Sequence, residues 1–266
     1  MQVFADDGAR IEAYVDARER EHAVVLIHGF PFTCALWEGH VRALAATHCT
    51  IRLDLRGAGK SSAPEGPYLM ERHAADVAAL LDALGVERAA LVAHSMGGYV
   101  ALAFARMFTE RVTGLALISS RLRADTSEEA VARWTLAERS EREGSIEPIV
   151  ETYLPKLFST QTLQQRPGVV EIAYAIARRN GPQGAAATLR GTALRASSED
   201  IAEDLDVPML MVAGAGDRIV APDEAGAIVA KFPQGQLTVC ETSGHLPMLE
   251  EPELVAGALR AFLASV

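Results

Sequence analysis

The sequence predicts an α/β fold in which a mainly parallel central sheet is flanked by helices and interrupted by an inserted helical cap. Three observations predict it. Short, continuous apolar runs alternate with segments of helical periodicity, the pattern of successive βαβ units. That alternation stops after Ile118, and strand signals resume at Asp206-Val207-Pro208. The stretch between them reads as helical.

The elements follow in order. Ala23-Val24-Val25-Leu26-Ile27 is an unbroken apolar run, suited to a central strand covered on both faces. Cys49 to Leu53, Ala89 to Ala93, Val112 to Ile118, Val207 to Ala213 and Gln236 to Cys240 read the same way. Leu69, His73, Val77, Leu80, Leu81 and Leu84 recur at spacings of three and four. That stripe marks an amphipathic helix packed on the sheet, ended by Gly85. From Leu122 to Asp204 the prolines 148, 155, 167 and 182 divide the helical stretch into short pieces, and four helices are expected. The sheet pattern continues beyond this stretch, so it reads as an insertion. The expected division is a core of residues 1–121 and 205–266 and a cap of residues 122–204.

Composition narrows the function classes. Of the 266 residues, 49% are hydrophobic and 23% charged, as in ordinary globular proteins. A net charge of -10 argues against a nucleic-acid partner, which would require clustered Lys and Arg. No apolar run approaches the roughly 20 residues that span a bilayer. The N-terminus lacks a basic start followed by an apolar stretch, so a cytoplasmic protein is expected, with no membrane partner. Cys34, Cys49 and Cys240 are odd in number and form no CxxC pair; buried free thiols in a reducing compartment are expected. His22, His40 and His48 have no carboxylate or cysteine at ligand spacing, so no metal is expected.

Three positions carry the chemistry. Ala93-His94-Ser95-Met96-Gly97-Gly98 follows a buried strand and opens a helix-like stretch. A sharp strand-to-helix turn would lift the Ser95 hydroxyl above the sheet, and it requires small residues two before and two after. A nucleophilic serine needs a base, and the base an orienting carboxylate. Asp217 lies just beyond the run Met209 to Ala213 in a Gly-rich turn, and His245 beyond the run Leu237 to Cys240. Asp223 and Glu224 compete for the acid, but Pro222 and the residues after it look like a helix start, where acids favour the dipole. His94 should point away from the hydroxyl, and His73 falls on the apolar helix stripe.

These motifs resemble those of the α/β-hydrolase fold superfamily, in its small capped serine esterase and enol-lactonase-like branch. The Ser95 turn resembles the nucleophile elbow, with Ala93 where glycine is commoner. In this fold the triad runs in the order Ser, acid, His, matching Ser95, Asp217 and His245. His28-Gly29-Phe30-Pro31 resembles the superfamily's His-Gly-x-Pro loop. The resemblance implies an oxyanion hole made by the backbone N–H groups of Phe30 and Met96. Asp54-Leu55-Arg56-Gly57-Ala58-Gly59-Lys60-Ser61 looks like the family's Asp-x-Arg-Gly-x-Gly-x-Ser turn, not a phosphate loop, whose full spacing it lacks. Gly244 to Glu253 is similar to the His segment of small esterases, enol-lactonases and C–C bond hydrolases.

The resemblance implies a carboxylesterase acting on a small-molecule ester, without a cofactor. Enol-lactonase, C–C bond hydrolase, perhydrolase or haloperoxidase, hydroxynitrile lyase and a ligand-sensing receptor with an intact triad remain open. An Asp nucleophile, as in haloalkane dehalogenases and epoxide hydrolases, is excluded by Ser95. The cap is expected to set specificity through an apolar pocket, with Phe30, Trp134, Tyr153 and Phe158 as substrate-binding residues.

Overall fold

A computed structural model describes all of residues 1–266. Eight strands form one sheet: β1 Gln2–Phe4, β2 Arg10–Asp16, β3 Ala23–Ile27, β4 Cys49–Leu53, β5 Ala89–His94, β6 Val112–Ile118, β7 Met209–Gly214 and β8 Gly235–Cys240. Their spatial order is β1-β2-β4-β3-β5-β6-β7-β8. The β1–β2 and β2–β4 pairs are antiparallel and the rest are parallel. Twelve helices accompany them: α1 Glu38–Leu44, α2 Met70–Leu84, α3 Met96–Met107, α4 Ser127–Glu143, α5 Glu147–Leu157, α6 Thr160–Gln165, α7 Pro167–Ala177, α8 Pro182–Ala193, α9 Glu199–Asp204, α10 Pro222–Val229, α11 Pro247–Glu250 and α12 Pro252–Leu263. None is long and apolar enough to cross a membrane.

The unbroken apolar runs have a simple cause. Side chains alternate along a strand, and both faces of the parallel region are covered. In β3, Val25 and Ile27 enter a core shared with α2, α3 and α10, while Val24 and Leu26 enter a second core shared with α1, α12 and the cap. β5, β6 and β7 divide the same way. The antiparallel edge was not legible as strand, because Ile11 and Ala13 are buried between charged or half-buried neighbours. β8 departs from the expected central strand. It closes the other edge, leaves Leu237 41% exposed, and fully buries only Cys240. β7 starts at Met209 rather than Val207, since Pro208 has no N–H for the ladder. All three cysteines are free and buried.

Six helices, not four, fill the interval between β6 and β7. Pro167 and Pro182 each open a helix, where the missing N–H costs nothing, instead of merely ending one. Pro155 lies within the last turn of α5. Packing also divides the insertion. Helices α4, α5, α7 and α8 contribute to the second core, whereas Ile201 and Ala202 of α9 join the core beneath α3. We propose on these grounds that the cap ends near Leu194, with α9 part of the core domain.

Candidate active site

Ser95 sits between the C-terminal end of β5 and the start of α3, where parallel sheets collect ligand sites. Its backbone is at φ 50°, ψ -115°, a conformation that costs a non-glycine residue on the order of 1–3 kcal/mol. The surroundings hold it there. Ser95 N–H donates to Ile118 O at 2.9 Å, and Ser95 O accepts from Gly98 N–H and from the Ser120 hydroxyl, both at 2.8 Å. A Cβ on Gly97 would stand 2.6 Å from Ile27 O and 2.8 Å from His28 O, so the turn packs against the end of β3 with no room for a side chain. Ala93 is fully buried, and its methyl is accommodated.

His245 Nε2 lies 2.9 Å from Ser95 Oγ, and Nδ1 lies 2.8 Å from Asp217 Oδ2. A carboxylate only accepts, so Nδ1 carries the proton and Nε2 is left to accept from the serine hydroxyl. Asp217 Oδ1 accepts from the N–H groups of Ile219 at 2.8 Å and Val220 at 3.0 Å. Burial pushes the Asp217 carboxyl up, but the favourable electrostatics and hydrogen bond of the adjacent His245 ring and these two N–H groups outweigh it and hold the carboxyl below its ordinary value. The competing acids point elsewhere: Asp223 and Glu224 are in the first turn of α10, and Glu224 pairs with Arg121 at 3.0 Å.

The loop that carries His245 is fastened from several sides. Its N–H donates to Leu157 O of the cap at 2.7 Å. The buried Glu250 carboxylate accepts from Gly244 N–H at 2.8 Å and Leu246 N–H at 3.3 Å with one oxygen, and from Ser159 N–H at 3.0 Å with the other. A Cβ on Gly244 would come within 2.5 Å of Ser159 N, so only glycine lets the cap approach this closely. Neither Glu250 nor His94, whose ring donates to the His245 carbonyl at 2.9 Å, was singled out for this work from the sequence. Both lie within motifs that were read for other residues.

Phe30, in the loop after β3, and Met96, at the start of α3, line the same cleft as Ser95. Met96 opens α3, so its N–H has no acceptor within the helix, and Phe30 N–H makes no hydrogen bond to another protein group. His28 fixes the first loop by accepting from Leu55 N–H at 3.0 Å through Nε2, which leaves Nδ1–H to donate to Gly29 O at 3.0 Å. Burial keeps the His28 imidazole below its ordinary pKa and hence neutral. The Asp54 turn supports the loop from behind: Asp54 accepts from Cys34 N–H and Lys60 N–H, both at 2.9 Å. Asn180 of the cap donates to Pro31 O at 2.6 Å.

The cap closes over Ser95 to leave a narrow cleft. Phe30 and Tyr153 line it, their rings edge to face at 5.6 Å. The other two expected binding residues do not. Trp134 is 38% exposed on the outer side, with the Arg190 guanidinium over its ring at 5.3 Å. Phe158 is fully buried in the second core beside the His245 loop. Helix phase explains the first correction, because one residue turns the side chain by about 100°; Phe158 lies just past the end of α5 in extended backbone, which turns its ring into the core. On α4 it is Arg133 that reaches the cleft, and on α5 it is the i, i+4 pair Tyr153 and Leu157. The cleft is not purely apolar: Arg121, Arg133 and Thr192 share its wall with Phe30, Tyr153 and Leu157. The large apolar side chains of the cap mostly bind it to the sheet.

Residues 22–252 match the family model described as alpha/beta hydrolase fold. The chain belongs to that family. It is similar to a thermophilic esterase from Thermogutta terrifontis solved with malate bound, at 34% identity and a TM-score of 0.95 over 99% of this chain and 97% of that one. It also resembles the enol-lactonase from Burkholderia xenovorans LB400 in fold, with a TM-score of 0.91 at 23% identity over 99% and 100% of the two chains. Among curated relatives, 3-oxoadipate enol-lactonase 2 of Acinetobacter baylyi is 25% identical over 91% of this chain and 88% of its own length.

Proposed function

We propose that the protein is a serine hydrolase that cleaves carboxylic esters by two-step acyl transfer through Ser95. The observation that carries this reading is the hydrogen-bonded chain from Ser95 Oγ through His245 to Asp217, at 2.9 and 2.8 Å. Ser95 Oγ attacks the ester carbonyl carbon as its proton passes to His245 Nε2, and Asp217 stabilises the imidazolium that forms. The carbonyl oxygen takes the negative charge and accepts from the N–H groups of Phe30 and Met96. Collapse expels the alkoxide, which takes the proton from His245. Water then attacks the acyl-serine, giving its proton to His245, and Ser95 leaves with that proton restored.

The same steps open a lactone, with the leaving alkoxide tethered to the acyl group. The enol-lactonase relative favours that second reading. A fluorophosphonate probe tests the core of both. It should label the wild type stoichiometrically and leave Ser95→Ala unlabelled, while ester hydrolysis falls roughly 10⁴- to 10⁶-fold. Labelling that persists in the variant would move the nucleophile elsewhere. A covalent adduct that long outlasts any turnover would favour a receptor over an enzyme.

A further inference from the structure

Two guanidinium groups line the cleft beside Ser95, and no carboxylate does. Arg121 and Arg133 belong to a compact network with Arg123 and Arg195, answered by three carboxylates. Asp125 pairs with Arg133 at 2.6 Å and Arg195 at 2.7 Å. Glu129 pairs with Arg123 at 2.6 Å and Arg121 at 3.4 Å, and Glu224 with Arg121 at 3.0 Å. Four cations thus face three anions. Asp217 does not make up the difference at the cleft, because His245 and the N–H groups of Ile219 and Val220 occupy it on the far side of the imidazole.

The donors of both cleft arginines are only partly used. A guanidinium has five N–H bonds. Arg133 spends three, two on Asp125 and one on the Tyr153 hydroxyl at 3.0 Å. Arg121 spends three, on Glu129, Glu224 and the Ile219 carbonyl, and its buried Nε has no partner. Asp125 and Tyr153 hold the Arg133 fork rigid, so little ordering remains to be done when a ligand arrives. Excess positive charge and unpaired N–H groups in a nearly closed site are costly unless an anion joins them. A site for a purely apolar acyl chain would not carry that cost.

We infer that the cleft takes an ester or lactone bearing a carboxylate, which Arg121 and Arg133 hold while the scissile carbonyl lies on Ser95. This rests on the serine-hydrolase reading for the reaction, but the anion site itself does not. The anion fixes the substrate through charge-assisted, fork-shaped hydrogen bonds, and Phe30 and Tyr153 cover the chain between the two ends.

The test pairs monomethyl glutarate with dimethyl glutarate, which share acyl chain and leaving group and differ in the distal charge. Wild-type kcat/KM should favour the half-ester by about tenfold or more. That preference should shrink as NaCl rises. Arg121→Gln should cut the half-ester to diester ratio by about tenfold, with Arg121→Lys retaining part of it. Calorimetry with glutarate supplies a readout free of chemistry: binding to Ser95→Ala should weaken about tenfold on adding Arg121→Gln. A labelled Ser95 with equal activity on both esters, and no glutarate binding, would overturn the inference and leave the hydrolase reading standing. Arg121-dependent glutarate binding without labelling or hydrolysis would keep the anion site and sink the hydrolase reading.

Discussion

His94 stands edge-on to His245, ring centroids 5.2 Å apart, and its Nε2 lies 2.9 Å from the His245 carbonyl oxygen. A carbonyl accepts, so His94 donates. Burial drives its imidazole down to about 3, so it remains a neutral donor at any working pH. One residue thus precedes Ser95, the proposed nucleophile, and holds the backbone of His245, the proposed base, linking β5 to the loop after β8 across 151 residues.

His94 is therefore a positioning residue. His94→Ala should lower kcat by about 5- to 20-fold, the scale of one neutral hydrogen bond plus some lost packing, with KM changed less than about twofold. His94→Asn, which can still donate, should recover part of the loss. Kinetics measured well below each variant's melting midpoint would check this. Unchanged kcat in both variants would reduce the ring to a core filler.

Asp217→Asn should cost about 10²-fold or more in kcat with the fold intact, because His245 loses its orienting charge and its tautomer preference. Asp223→Asn should be nearly silent, since Asp223 belongs to the first turn of α10 and the His245 ring bonds Asp217 and Ser95 instead. Parallel kinetics on the two variants would settle the ranking. The reverse order would reassign the acid.

How much of this was legible in the sequence depends on what each residue's position needed. Strands β3 to β7 are covered on both faces, so their runs are predominantly apolar and their limits fell within two residues. β1 and β2 pair antiparallel at an edge, and alternation with charged residues hid them. Ser95, Asp217 and His245 stood out because each follows a strand in a turn containing glycine. The cleft wall did not. Choosing Arg133 over Trp134 depends on a helix phase set by tertiary packing, choosing Leu157 over Phe158 on where α5 ends, and a run of large apolar residues is the same signal whether it lines a pocket or glues a cap.

The last prediction concerns acid stability. His40, His73 and His94 are buried, and burial pushes their pKa values down to about 4, 3 and 3 from 6.5. With the native value depressed, the unfolded chain takes up protons below pH 6.5 that the native protein refuses. Their contribution is therefore complete above pH 6.5 and is lost as pH falls toward the native values. At pH 5 each such histidine costs about 2 kcal/mol, so three cost about 6, a large share of a typical 5–15 kcal/mol. The depressed carboxyls of Asp7 and Glu129, at about 2, act only below the ordinary carboxylate range and add little to this window. Thermal melts should thus show Tm falling by about 10–25 °C between pH 7.5 and pH 5. His73→Leu should remove about 2 kcal/mol of that slope, because leucine takes no proton in either state. A melting midpoint flat over this range, or a slope unchanged in His73→Leu, would mean that the native protein protonates these rings and relaxes around them.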